Sequence, residues 1–119
     1  MNTRITNPEL KELIRDLRKK TYEVKKGIWK RIAEELEKPH RKRRIVNLQR
    51  INKYTKEDEV VVVPGKVLAN GELNHKLTIA AFSFSKQAIK KIEKVGGRAI
   101  SIRELMDQKP KGDGVKIIG

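Results

Sequence analysis

Four valines in succession, Val60 to Val63, constrain this chain more than any other stretch. Successive side chains of a strand point to opposite faces, so an unbroken β-branched run leaves no polar face for water. The run reads as a strand buried on both sides and bounded by Pro64-Gly65. Leu77 to Phe84, apolar on both faces, reads as a second strand of the same covered sheet. Between them Lys66, Val67 and Leu68 lead to Asn70-Gly71, a dipeptide that favours a tight turn with positive φ.

Helical periodicity surrounds these strands. Asn7-Pro8-Glu9 carries a cap, a first-turn proline and an acid suited to the positive helix end. Leu10, Leu13, Ile14, Leu17 and Val24 then share a stripe that Gly27 is expected to break. Ile28, Trp29, Ile32, Ala33 and Leu36 predict a second helix stopped by Pro39. Trp29 offers either a base-stacking surface or a core anchor, and its apolar neighbours favour the core. Ser85 caps a helix with Ala88, Ile89, Ile92 and Val95 on one face, ended by Gly96-Gly97. Arg98 to Ile100 predicts a short strand. Ser101 and Glu104 form a capping-box pair, and Val115 to Ile118 predicts a last strand after the loop Lys109 to Gly114. The fold class is α/β, with basic N-terminal helices followed by a compact α/β unit. Residues 1–119 are read as one domain, 1–58 basic and helical, 59–119 α/β.

Charge decides the partner. Lysine and arginine number 29 against 15 acids, a formal net charge of +14, with 37% apolar residues. That composition leans toward disorder, which the periodic apolar runs contradict. A lysine- and glutamate-rich thermophile surface would keep its signs near balance. A twofold cationic excess fits a polyanion, whose phosphates supply the missing charge as counterions are released. The parts 1–58 and 59–119 carry 18 cations to 9 acids and 11 to 6. From Lys38 to Tyr54 seven cations occur with no acid among them. There Ile45, Leu48 and Ile51 repeat every three residues, predicting a helix with a thin apolar edge. Arg41 to Arg44 precede it as an extended arm or a helix start.

Chemistry of other kinds finds little support. Without cysteine there is no disulfide frame and no thiolate metal site. His40 and His75 lack ligand spacing and read as exposed polar residues. Ser83 and Ser85 have no glycine elbow, and Pro64-Gly65-Lys66 is too short for a phosphate loop. No apolar run is long enough to span a bilayer, and Met1-Asn2-Thr3-Arg4 opens no signal core. The expectation is a cytoplasmic protein that is not an enzyme, with no cofactor, metal, membrane or small-molecule substrate.

The candidate nucleic-acid-binding residues are Arg41, Lys42, Arg43, Arg44, Asn47, Arg50, Asn52, Lys53, Lys66, Lys111, Gly112 and Gly114. Arginine forks grip phosphate oxygens in pairs, lysines add mobile charge, and amides reach 2′-hydroxyls or base edges. Gly112 and Gly114 allow close backbone approach beside Lys109, Lys111 and Lys116. Tyr54 is left open between stacking on a base and closing the core edge. A free-standing DNA-binding protein and a module for an acidic protein partner are the rival classes.

Several stretches then match a known pattern in order. They are Thr6-Asn7-Pro8-Glu9-Leu10, Val46-Asn47-Leu48-Gln49-Arg50-Ile51-Asn52-Lys53-Tyr54-Thr55, Val61-Val62-Val63-Pro64-Gly65-Lys66-Val67-Leu68, Gly71-Glu72-Leu73, Thr78-Ile79-Ala80-Ala81-Phe82-Ser83-Phe84-Ser85 and Pro110-Lys111-Gly112-Asp113-Gly114. Together they resemble the eighteen-e family of large-subunit ribosomal proteins, kin to the fifteenth large-subunit protein of bacteria. The short length resembles the archaeal form. The resemblance implies a structural, ribosome-bound constituent acting in translation. Its implied partners are large-subunit ribosomal RNA and neighbouring large-subunit proteins. It also implies an α/β C-terminal unit shared with the fifteenth protein.

Overall fold

A computed structural model of the protein describes residues 7–39 and 44–119. Two helices open it, α1 (Pro8–Val24) and α2 (Gly27–Glu37). They are followed by β1 (Arg44–Asn47), α3 (Leu48–Tyr54), β2 (Val60–Leu68), β3 (Thr78–Phe84), α4 (Lys86–Lys94), β4 (Arg98–Ser101), α5 (Ile102–Gln108) and β5 (Val115–Ile117). All five strands are parallel, and β2 and β3 form the centre with β4 beside β3. Both β1 and β5 pair with β2, β5 along Val60–Val62 and β1 along Gly65–Leu68. The two short strands therefore lie end to end on one edge of β2.

The valine run divides the core. Val61 and Val63 join Val46 of β1 and Leu48, Ile51, Ala88 and Ile92, the buried faces of α3 and α4. Val62 joins the apolar stripes of α1, α2 and α5, with Val60 packed against them. The sheet is covered by α3 and α4 on one side and by α1, α2 and α5 on the other. Connections stepping from β1 to β2, β3 and β4 all use the first side, while α5 returns to β5 along the second. A constant hand of parallel crossover requires that change of face when the direction reverses.

Local chemistry explains most of the element ends. Asn7 Oδ1 accepts from the amides of Glu9 at 2.9 Å and Leu10 at 3.3 Å, and Ser85 Oγ accepts from Ala88 N at 3.1 Å. Ser101 and Glu104 complete a reciprocal capping box. Gly96, at φ +81, takes the left-handed position after α4. At the end of α1 that position falls to Lys25, at φ 54, and Gly27 opens α2 instead of breaking the stripe. Trp29 is fully buried, and its indole Nε1 donates to the Pro110 carbonyl at 2.8 Å. It is thus a core anchor that also ties down the loop before β5.

Three expectations need correction. The valine strand does not stop at Pro64-Gly65. β2 runs through them to Leu68, and its register against β3 shifts between Val63 and Lys66. A central strand accepts proline only at such an irregularity, because proline has no amide to donate. The Ile45, Leu48, Ile51 repeat does not lie on one helix. Residues 44–47 form β1, α3 begins at Leu48, and Ile45 is 63% exposed. A three-residue spacing read across a strand-to-helix junction imitates helical periodicity. Finally, Gly71 has the expected positive φ, +87, but Asn70-Gly71 makes only a bend and not a tight turn. The strands it separates are parallel, so residues 69–77 must return along the sheet, burying Leu73 and Leu77 on the way.

Glu35 fastens β1 to α2. Its carboxylate accepts from Arg44 Nε at 2.9 Å and pairs with Lys38 Nζ at 2.9 Å, with only 17% of its side chain exposed. Burial alone would raise its pKa, but the hydrogen bonds and charges of Lys38 and Arg44 outweigh that and hold it below the ordinary carboxylate range. A carboxyl lowered in this way stabilises the fold above its unfolded pKa, and the contribution is lost as pH falls through the folded one.

Two outcomes are expected. A Cβ on Gly65 would stand 1.9 Å from the Arg44 carbonyl oxygen, so Gly65→Ala forces β1 away from β2. Overpacking of this kind costs about 2–3 kcal/mol, roughly 10 °C in thermal midpoint, and an unchanged midpoint would contradict the β1–β2 packing. Glu35→Gln should cost about 1 kcal/mol at neutral pH. Denaturation midpoints of the two proteins should converge as pH falls below about 4.3, the ordinary glutamate value. A gap that stays constant into strong acid would refute the assigned tie.

Candidate nucleic-acid interface

The sequence-predicted residues that the structure describes gather around the β1–β5 edge of the sheet, but not on one surface. Arg41, Lys42 and Arg43, with His40, lie outside the described residues. Arg44 stands at the centre of what is described. On one side it lines a groove of about 680 Å³ between α2 and β5, together with Arg31, Glu35 and Gly112. On the other it shares a cleft with Lys66, Ile45, Phe82 and Ser83. Arg31 was not among the expected residues. Only its place on the exposed side of α2 beside that groove distinguishes it, and no sequence spacing signals that.

The α3 residues sit over the opposite face of the sheet. Arg50 and Lys53 are exposed, and both cations lie over the Tyr54 ring, 5.1 Å and 5.5 Å from its centroid. Tyr54 is 50% exposed, so the ring stays outside the core and carries a positively charged aromatic surface. Asn52 faces inward to the protein's own loop, its Oδ1 accepting from the Asn74 amide at 2.9 Å. Asn47 is half-buried at the cap of α3, where its side chain makes no capping bond. Gln49 packs its Cβ where a side chain on Gly71 would otherwise sit, and its amide donates to Asn70 O at 3.0 Å.

These bonds bolt α3 to the returning segment 69–77. Thr55, the buried polar residue at its end, donates to Ile51 O at 2.6 Å. Its hydroxyl oxygen also meets His75 Nε2 at 2.8 Å. With the Thr55 proton on Ile51, Nε2 must carry the histidine proton. His75 is therefore a half-buried structural partner, where an exposed polar residue was expected.

The glycine loop divides its roles. Gly112, at φ +68, lacks a Cβ that would stand 2.5 Å from Ile28 Cγ2, so its smallness serves packing on α2. Gly114, at φ +73, faces open space with Lys111 exposed nearby in sequence. Lys116 bridges β5 to its neighbours, donating to Tyr54 O at 3.1 Å and pairing with Glu59 at 3.4 Å. The Glu59 carboxyl lies below its ordinary range, chiefly because the Lys56 amide donates to it.

Charge is segregated by layer. The helices α1, α2 and α5 together hold 8 cations and 9 acids. Many are paired: Arg18 with Glu37, Arg103 with Asp16 at 2.7 Å, and Arg15 with Glu12 at 3.8 Å. Such exposed pairs add little stability but cancel the field outside that layer. The helices α3 and α4 hold 6 cations and 1 acid. The basic character that the sequence spreads over residues 1–58 is thus largely neutralised along α1 and α2. Among the described residues no helix is long and apolar enough to cross a membrane.

Known proteins match this chain over most of its length. The sequence profile describing the ribosomal proteins 50S-L15 and 50S-L18e and their 60S counterpart matches residues 26–100. Large ribosomal subunit protein eL18 of Methanothermobacter thermautotrophicus is 45% identical over 113 residues, 95% of this chain and 93% of that protein. Its counterpart in Sulfurisphaera tokodaii is 52% identical over 103 residues, 87% and 84% of the two chains. That of Pyrobaculum aerophilum is 45% identical over 113 residues, 95% and 93%. With a profile match spanning well over half the chain and relatives this similar along nearly all of it, the chain belongs to the family of ribosomal proteins that unites 50S-L15, 50S-L18e and their 60S counterpart.

Proposed function

We propose that this protein is a structural, non-catalytic constituent of the large ribosomal subunit that binds ribosomal RNA and acts in translation, bound to the ribosome. The observation that carries the reading is the segregated charge on a family-typed α/β frame. One helical layer is balanced by its own acids, and the other offers cations with almost none. A soluble domain gains nothing in folding from such self-repulsion, whereas an RNA backbone relieves it. Residues 1–119 act as one domain in this reading. The sheet draws β1 from the first part and β2 to β5 from the second, so neither part covers it alone.

The contact surface runs from Lys66 and Arg44 over the sheet edge to Arg50, Lys53 and Tyr54, and Arg41, Lys42 and Arg43, which precede Arg44 in the sequence, are assigned to the same role. Lys111, Gly112 and Gly114 close it on the α2 side. Arginine there grips phosphate with paired bonds, and the Arg50–Tyr54 surface receives sugar or base. Asn52 serves by holding the returning loop, and Asn47, whose side chain makes no capping bond, offers its amide to a 2′-hydroxyl or base edge. Neighbouring large-subunit proteins meet the remaining surface.

Replacing Arg41, Arg43, Arg44 and Arg50 with alanine tests the assignment. Affinity for large-subunit RNA should fall by orders of magnitude at moderate salt. The slope of log affinity against log salt should lose about 0.7–0.9 per phosphate contact removed. Unchanged affinity and slope, or equal binding of the unaltered chain to duplex DNA, would contradict it.

A further inference from the structure

The helix α4 plays no part in the interface above, yet among the described helices it carries the largest net positive charge. Lys86, Lys90, Lys91 and Lys94 are all exposed, and Glu93 is its one acid. Among the described residues none of the four lysines has an ion-pair partner. Lys91 is occupied otherwise, its Nζ donating to the carbonyls of Ala69 and Gly71, each at 2.9 Å. Lys86, Lys90 and Lys94 remain, spaced by four, and so form one row along the helix with ammonium groups about 6 Å apart along its axis. Like charges at that spacing repel and weaken the helix. Lys86 also stands in the first turn, where the helix end is already positive and no acid offsets it. Lys94 suits the negative end of the helix, but the first-turn Lys86 and the like-charge spacing work against folding, so the row needs a reason outside the fold.

The row is continuous with α3. Both helices cover the same face of the sheet through Leu48, Ile51, Ala88 and Ile92. Both also hold the same returning loop, Gln49 through Asn70 and Lys91 through Ala69 and Gly71. Glu72 and Glu93 interrupt this surface, and Asp58 pairs with Lys76 of the returning loop at 3.7 Å.

We propose that the Lys86–Lys90–Lys94 row of α4 is a second phosphate-tracking site, which follows a run of successive phosphates on an RNA strand lying across the α3–α4 layer. The proposal rests on the ribosomal RNA reading and extends it from the sheet edge to the whole layer. An ammonium row with this pitch meets consecutive phosphates without reading base edges, so the contact is independent of sequence.

The test compares three full-length variants against deproteinised large-subunit ribosomal RNA over a salt series. The first is Lys86→Gln, Lys90→Gln and Lys94→Gln together. The second removes the same charge from the other layer, as Lys11→Gln, Lys19→Gln and Lys30→Gln. The third is Arg50→Gln with Lys53→Gln. The α4 variant should lower affinity about tenfold or more at moderate salt and flatten the salt slope by about two. The α1–α2 variant should change affinity less than about threefold, since its layer is self-neutralised. Equal effects of the two triple variants would reduce the row to net charge and overturn the proposal. So would an α4 variant that binds normally while the Arg50 and Lys53 variant is weakened. Failure of the unaltered chain to bind this RNA in a salt-dependent way would overturn the ribosomal RNA reading as well. All the substituted lysines are exposed, and matching thermal midpoints confirm that each variant is folded.

Discussion

Everything in this molecule follows from a central strand that must be buried on both faces. β2 sends Val61 and Val63 into one core and Val62 into the other. A parallel sheet cannot leave either side to water without exposing β-branched side chains. Two helical layers are therefore obligatory. The crossover rule assigns α3 and α4 to one layer and α5 to the other, with α1 and α2 completing the second. Function uses that division. A two-sided sandwich lets one layer be ordinary surface while the other faces a polyanion. The acids sit where they cancel cations on α1, α2 and α5, and they are nearly missing from α3 and α4, the helices proposed to face RNA.

The edge strand is the joint between these roles. β1 is only four residues long, packed against Gly65 where no side chain could fit, and fastened to α2 through Arg44 and Glu35. From that joint the chain passes directly into α3, so the sheet edge orients Arg50 and Lys53. The loop 69–77 then locks α3 from the far side through Asn70, Asn74 and His75. The cationic helix is thereby held rigidly, and less freedom remains to be lost when RNA binds. Arg44 shows the same economy, since in the free protein its charge is held by Glu35, at the mouth of a groove that also holds Arg31 and Gly112.

Much of this was legible in the residues. Capping signals at Asn7, Ser85 and Ser101, the valine strand, the strand at Leu77 to Phe84 and the α4 stripe each report a local preference that the tertiary structure keeps. What escaped was non-local. A strand at 44–47 exists because it pairs with Gly65 to Leu68, and its own four residues carry no alternation strong enough to announce it. The bulge at Pro64-Gly65 reads locally as an end, because only the partner strands show that the ladder resumes. The interface was harder still. An acid-free run stands out along a chain, so the segment from Lys38 to Tyr54 was visible. The α4 row was hidden, because its lysines are ordinary for an exposed helix until the opposite layer is seen to be neutral. Asn52 and Gly112 also make contacts within the protein, with Asn74 and Ile28, that their residue types do not announce.

In the proposed function the α3–α4 layer and the sheet edge face RNA while the α1–α2 layer does not. Amine-reactive footprinting of the chain on large-subunit RNA, read lysine by lysine by mass spectrometry, tests it most directly. Lys53, Lys66, Lys86, Lys90 and Lys94 should lose reactivity on binding, while Lys11, Lys19 and Lys30 keep theirs. Protection of Lys11, Lys19 and Lys30, with the α4 lysines left reactive, would contradict the account.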